Sequence, residues 1–305
     1  MYSATGNPYD TLLDVVEGKG IGSLRDFGVK FSKTEVDQNG KIDVQAVSDT
    51  VKTIKPALIF IQRSRGYSWR SALSVDEIRD AVNAVRKYSD APIVVDNCYG
   101  EFTDVIEPTQ VGADIIVGSL IKNPGGGLAP TGGYIAGKKK LVDLIAGRLT
   151  APGIGMEVGS YAYGYQYFYQ GLFMAPHVVE QALKASALFS RVLGKLGYET
   201  LPAFDEKQND IITSIKFKTK EELISFCQTI QTYSPIDSHV LPEPWDMPGY
   251  QHQVIMAAGA FIQGASIEMS ADAPIKEPYF AYFQGSLTYE HAKIVLNNVL
   301  TNLPK

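Results

Sequence analysis

Three short apolar runs, each ending in a polar cluster, constrain this chain most. Ala57-Leu58-Ile59-Phe60-Ile61 runs into Gln62-Arg63-Ser64-Arg65, Pro92-Ile93-Val94-Val95 into Asp96, and Ile115-Ile116-Val117 into Gly118-Ser119. A continuous apolar run of four or five residues is the signature of a strand buried on both faces. Between the first two lies a helix signal: Ser74 and Glu77 form a capping box, and Ile78, Val82 and Val85 fall on one helical face. Strands alternating with helices imply an α/β fold, with a largely parallel sheet covered by helices. A fourth strand, Gly133–Gly137, follows a short connection through Pro130, and a link that short implies an antiparallel return.

The pattern changes from about Pro176. Val179, Ala182, Leu183, Phe189, Val192 and Leu196 fit a long amphipathic helix ended by Gly197. Ile211, Thr213, Ile215 and Phe217 then alternate as a half-buried strand. Helices are expected at Glu221–Thr232 and Thr288–Leu300, with strands near Val254–Ala260 and Ser266–Ser270. The organisation is therefore a large domain over residues 1–175, followed by a connecting helix and a smaller α+β domain over 176–305. Tyr161–Tyr169, with its many tyrosines, reads as an aromatic packing layer or a subunit interface, and Leu241–Tyr250 as a surface loop.

Composition removes several function classes. A net charge of −5 gives no footprint for nucleic acid or an anionic membrane, and the basic run Lys138-Lys139-Lys140 reads as a solvated helix start. Two distant cysteines form no CxxC motif, and His177, His239, His252 and His291 lack ligand spacing, so no metal is expected. Asp10, Asp14 and Glu17 stand where a signal peptide would be apolar, and no run approaches the ~20 apolar residues that span a bilayer. A cytoplasmic protein with a small-molecule substrate is the expectation.

In open α/β sheets, ligands bind beyond the carboxyl ends of the strands. The three polar clusters sit there. In Gly118-Ser119-Leu120-Ile121-Lys122-Asn123-Pro124-Gly125-Gly126-Gly127, a serine, a lysine three residues on and a glycine run share one rim with Asp96. Pyridoxal phosphate needs an amine for its aldehyde, an anion for its ring nitrogen and donors for its phosphate. Lys122, Asp96 and Ser119 can supply all three, and Gly125–Gly127 would let the backbone turn close to the phosphate. A cationic ring beside Lys122 would favour its neutral amine, which could attack the aldehyde and shuttle the α-proton. Arg63 and Arg65 are candidates to clamp a substrate carboxylate. Serine-hydrolase and nucleotide-binding readings fail, because the companions of SxxK are absent and no GxGxxG or GxxxxGK[ST] appears.

Val95-Asp96-Asn97-Cys98-Tyr99-Gly100-Glu101-Phe102, together with the Gly118–Gly127 segment, resembles fold-type I pyridoxal phosphate enzymes. Within them the chain is similar to the methionine γ-lyase-like family, also labelled aluminium-resistance or cystathionine β-lyase-like proteins. Ile61-Gln62-Arg63-Ser64-Arg65-Gly66-Tyr67-Ser68-Trp69, Arg148–Gly155, Gly171–His177, Pro278-Tyr279 and Gln284–Thr288 carry the likeness along all 305 residues. The resemblance implies Lys122 as the lysine that condenses with the cofactor and Asp96 as the pyridine partner. Ser119 is implied as a phosphate contact, with Asn97 and Tyr99 beside the cofactor. Lys276, before Glu277-Pro278-Tyr279, stands where a cationic carboxylate anchor is sought.

The implied activity is carbon–sulfur bond cleavage in a sulfur amino acid, by β or γ elimination, in a homodimer or homotetramer. Relative to the resembled family, the chain is expected to lack an N-terminal portion that binds the phosphate and supplies a ring-stacking aromatic. An inactive truncated protein is therefore one alternative, and aminotransfer or desulfuration on the same cofactor another.

Overall fold

The structure, a computed structural model, describes residues 1–248 and 250–303. The first half is built from β1 (Tyr2–Ser3), α1 (Asp10–Glu17), β2 (Ser32–Lys33), α2 (Val44–Ile54), β3 (Ile59–Gln62), α3 (Val75–Arg86), β4 (Ile93–Asp96), β5 (Ile115–Ser119), β6 (Gly133–Gly137) and α4 (Lys139–Ala146). Its strands form one six-stranded sheet in the order β2-β1-β3-β4-β5-β6. All neighbours are parallel except β5 and β6, which run antiparallel as the short Pro130 connection implies. Helix α3 starts where the capping box places it. Ser74 Oγ accepts from the Glu77 amide at 3.1 Å, and the Glu77 carboxylate accepts from the Ser74 amide at 2.8 Å. Its face of Ile78, Ala81, Val82 and Val85 packs on Ile59, Ile61, Ile93 and Val95. Each such buried aliphatic side chain contributes roughly 1.5–3 kcal/mol.

The second half begins with α5 (Gln166–Lys195) and continues through β7 (Glu199–Leu201), β8 (Ile212–Phe217), α6 (Lys220–Thr232), β9 (Val254–Ala257), β10 (Ser270–Pro274), β11 (Tyr279–Gln284) and α7 (Tyr289–Asn302). Its antiparallel sheet has the order β7-β8-β11-β10-β9. One face of that sheet carries Ile215, Phe217, Ile255, Ala271, Ala273, Ala281 and Phe283 into a core shared with α5, α6 and α7.

Several expectations need correction. Helix α5 starts ten residues before Pro176, which lies inside it, so residue 176 is no helix start. Proline removes one amide from the ladder, but the early turns are held by tertiary contact. A Cβ on Gly126 would collide with the Gly171 carbonyl and press on the Ala175 amide of α5. Strand β8 is buried on both faces rather than half-buried, because a second layer covers its other side. Strand β10 lies at Ser270–Pro274, not Ser266–Ser270. The residues before it are held in a loop, where Glu268 accepts from the amides of Phe261 (2.9 Å) and Ile262 (2.8 Å).

Tyr161, Tyr163, Tyr165 and Phe168 pack on one another at the surface. Within the loop Leu241–Tyr250, Gly249 lies outside the described residues. Among the described residues, no helix is long and apolar enough to cross a membrane, and no group of three or more His, Cys, Asp or Glu side chains is placed to hold a metal ion.

Candidate active site

The carboxyl ends of β3, β4 and β5 face the inner side of the second sheet, and a cavity of about 290 Å³ lies between them. Asp96, Tyr99 and Lys122 line it from the first sheet, Tyr9 and Tyr67 from neighbouring loops, and Asp272 and Tyr282 from the second sheet. A larger groove of about 500 Å³ adjoins it, sharing Tyr9, Gln62, Tyr67 and Tyr250 as walls.

Local structure fixes each group. Asp96 is the last residue of β4, and one of its oxygens accepts from the Cys98 amide at 3.1 Å. Lys122 lies in the turn after β5. The buried Asn123 ties that turn to the β4 loop by donating to the carbonyls of Tyr99 (3.0 Å) and Glu101 (2.9 Å). Lys122 Nζ thereby sits 4.1 Å from the centre of the Tyr99 ring. Tyr99 itself adopts φ 69°, a conformation uncommon for a non-glycine residue and enriched at functional sites. Gln62 holds Tyr9, accepting from its amide at 2.9 Å, while the Gln62 amide donates to Thr5 Oγ1 at 3.0 Å.

The second sheet contributes by register. Ser214, Tyr282, Asp272 and Met256 stand opposite one another across β8, β11, β10 and β9. Side chains alternate between faces along a strand. In Ser270-Ala271-Asp272-Ala273-Pro274 the two alanines therefore enter the core while Asp272 faces the cavity.

Burial works against the Lys122 ammonium, but the Tyr99 hydroxyl and the Asp96 carboxylate beside it favour the charged form and outweigh that cost. Its pKa lies above the ordinary lysine value. The protein alone therefore keeps this amine protonated at neutral pH. Burial pushes the Cys98 thiol up to about 12 and the Tyr99 phenol above its usual value, so both are neutral at pH 7. Burial also lifts Asp272 to about 7, opposed by Lys122 and the Tyr67 hydroxyl.

The other expected site residues lie elsewhere. Arg63, 1% exposed, donates to Leu73 O, Asn97 Oδ1 and Thr103 Oγ1. Asn97 is buried between Arg63 and Glu107, donating to Glu107 at 2.9 Å. Neither lines the cavity or the groove. Arg65 borders the groove, but its guanidinium pairs with Asp210 at 3.1 Å and donates to Leu201 O at 2.6 Å and Ser214 Oγ at 3.2 Å. Ser119 closes β5 outside the cavity lining, and Lys276 lines the groove rather than the cavity. The glycine run answers to packing rather than to a ligand: side chains at Gly126 and Gly127 would strike α5 and Leu287. Both also have positive φ (52° and 75°).

Glu101 is a buried group that sequence reasoning passed over. Tyr134 donates to one of its oxygens at 2.8 Å, and the other has no partner among the described residues. Burial raises its pKa to about 8. The folded chain thus holds this proton more tightly than the unfolded chain, so stability is lost as pH rises from about 4.5 to about 8. Glu101→Gln is expected to raise stability by on the order of 2–4 kcal/mol at pH 9 and to change little at pH 5. Denaturant unfolding at the two pH values checks this.

The sequence matches the family described as methionine gamma-lyase over residues 1–304. It is 50% identical over 303 residues to the uncharacterized protein YnbB of Bacillus subtilis strain 168, spanning 98% of this chain and 72% of that one. A solved structure from Clostridium novyi NT, described as a carbon-sulfur lyase involved in aluminum resistance, is 51% identical. It superposes with a TM-score of 0.93, covering 99% of this chain and 72% of the other. The pyridoxal-5'-phosphate dependent protein YhfS of Escherichia coli is only 14% identical, with a TM-score of 0.61 over 98% of this chain and 73% of its own. That distant likeness is one of fold, the fold-type I arrangement of a mostly parallel sheet flanked by helices with a further antiparallel sheet. A match along nearly the whole chain, on a backbone this close to a relative's, means that the protein belongs to the methionine γ-lyase family.

Proposed function

We propose that the protein is a pyridoxal phosphate-dependent carbon–sulfur lyase. Its substrate would be a sulfur-containing amino acid, cleaved by elimination of the methionine γ-lyase or cystathionine β-lyase kind. The observation that carries this is the meeting of Lys122 and Asp96 in one cavity, although 26 positions separate them in sequence. The cavity suits the group: it offers a buried amine, a strand-end carboxylate with one oxygen already oriented, and the rings of Tyr9 and Tyr99 for a flat heterocycle. The fit is to the ring and aldehyde half of the cofactor; Ser119 stands outside the lining and is left out of this site.

Bound there, the cofactor supplies an electron sink for a carbanion at the substrate Cα. The residues do the rest. Asp96 accepts a hydrogen bond from the ring N–H and keeps that nitrogen protonated. A cationic ring nearby lowers the affinity of Lys122 for its proton, so that Nζ can take the proton from the substrate Cα. Tyr99, packed on Lys122, holds Nζ in place, and Asp272 and Tyr282 of the second sheet line the same cavity. The exposed apolar side chains Leu144 (69% exposed), Tyr163 (85%) and Phe173 (84%) support assembly as a homodimer or homotetramer.

Borohydride reduction of the cofactor-loaded protein, followed by peptide mass mapping, tests the assignment. A phosphopyridoxyl adduct is expected on Lys122. No adduct there at saturating cofactor would overturn the proposal. Ketoacid and ammonia as products identify elimination, whereas a transaminated partner identifies aminotransfer.

A further inference from the structure

Lys122 and Asp96 serve the opening of the proposed reaction from the first sheet's side of the cavity. Breaking the carbon–sulfur bond needs a further group, because an alkyl thiolate is strongly basic and departs far more readily with a proton. Several polar groups of the lining already have partners in the chain. Gln62 accepts from the Tyr9 amide and donates to Ser64 O at 3.1 Å, Ser64 Oγ donates to Asp210, and Gln284 donates to Ser266 O at 3.3 Å. Asp272 on the opposite sheet differs. It is 7% exposed, its Oδ1 has no hydrogen-bond partner among the described residues, and Ala271 and Ala273 supply the core contacts of β10. A buried carboxyl oxygen left unpaired calls for a function or a partner from outside the chain.

The surroundings connect this carboxyl with solvent. The Tyr67 ring stands 5.6 Å from that of Tyr250 and 5.1 Å from that of Tyr282. Tyr67 and Tyr250 belong to the walls of both the cavity and the adjoining groove. The Tyr67 hydroxyl, which acts on Asp272, therefore lies on a polar route from the groove to the carboxyl. Burial holds the protons of Tyr9, Tyr67, Tyr99, Tyr282 and Cys98 too tightly for release at neutral pH, whereas Asp272, near 7, can both give and take one.

We infer that Asp272, in its protonated form, is the acid that protonates the departing sulfur. This rests on the lyase reading above and deepens it, assigning the second half of the reaction to the second sheet. As the carbon–sulfur bond breaks, its electron pair goes to sulfur. The Asp272 carboxyl proton moves to that sulfur, forming the S–H bond of a neutral thiol and leaving a carboxylate. A proton from solvent in the groove restores the carboxyl by way of the Tyr250 and Tyr67 hydroxyls. Charge sets the timing, because Lys122 is the cation that acts on Asp272. While that amine is neutral, Asp272 keeps its proton. Once Nζ has taken the proton from the substrate Cα, its new positive charge favours the carboxylate and loosens the Asp272 proton as the sulfur needs it.

The test offers the cofactor-loaded protein S-benzyl and S-(4-nitrophenyl) derivatives of L-cysteine and of L-homocysteine, and follows ketoacid release. The two sulfur substituents are similar in bulk, but the benzyl thiolate is a poor leaving group and the nitrophenyl thiolate leaves unaided. The wild-type protein is expected to cleave the two with kcat values within about tenfold of each other. Asp272→Asn is expected to slow the benzyl substrate by roughly a hundredfold or more and the nitrophenyl substrate by less than about threefold. A larger wild-type gap overturns the inference, and that comparison needs no variant to fold. Equal slowing of both substrates in an Asp272→Asn protein with native circular dichroism overturns it too, as does slowing of neither. In each of these cases the lyase reading stands. No ketoacid from any of the substrates with the wild-type protein overturns the lyase reading, and this inference with it.

Discussion

Lys122→Ala is expected to lower kcat for carbon–sulfur cleavage by roughly a thousandfold or more, with the far-UV circular dichroism unchanged. Loss of a positioned acid–base group alone accounts for about 10²–10⁴-fold, and in the proposed reaction the same amine also joins the cofactor. The fold should survive, because the Lys122 side chain accepts no structural duty. Its turn is pinned instead by the buried Asn123 side chain and by the Ile267 amide, which donates to Ile121 O at 3.1 Å. Measuring ketoacid release beside circular dichroism separates chemistry from folding. A variant that retained a tenth of the activity would remove Lys122 from the mechanism.

The second large effect is on stability. Asp210 is wholly buried and pairs with the equally buried Arg65 at 3.1 Å, while also accepting from the Ile212 amide at 3.1 Å and Ser64 Oγ at 3.4 Å. Arg65 follows β3 of the first sheet and Asp210 precedes β8 of the second, so this pair straps the two sheets across the cavity. Arg65 Nε already lacks a partner. Asp210→Ala would strand the guanidinium's charge in a dry site, at a cost of about 3–5 kcal/mol. That is a large share of the roughly 5–15 kcal/mol that holds a typical protein folded. Denaturant unfolding gives the number. The double replacement Arg65→Met with Asp210→Leu is expected to recover most of the loss, because it removes both buried charges together.

How far the sequence was legible follows from the range of the forces involved. The parallel strands β3, β4 and β5, the α3 capping box and the antiparallel β6 are local or nearly local, and residue patterns revealed them, whereas the two-residue strands β1 and β2 carry no such pattern. The strand-end rule brought Asp96 and Lys122 to one rim for the same reason. Arg63 and Asn97 also sit at strand ends, yet they turn inward toward each other, a choice made by tertiary partners that no spacing records. Asp272 went unseen because its strand was placed four residues early. Shifted to its true position, the alternation Ser270, Asp272, Pro274 would have marked an acid on a buried face. Tyr9 and Tyr67, which loops rather than strands carry to the cavity, gave no strand-end signal either.

The row Ser214, Tyr282, Asp272 and Met256 has a further consequence. Tyr282, Asp272 and Met256 are each flanked along their strands by residues of the hydrophobic core, so the two faces of this sheet answer to separate demands. Single replacements in the row can retune which molecules are accepted while the greasy side stays as it is. Relatives that share this backbone can therefore diverge in diet one codon at a time, without passing through an unfolded ancestor.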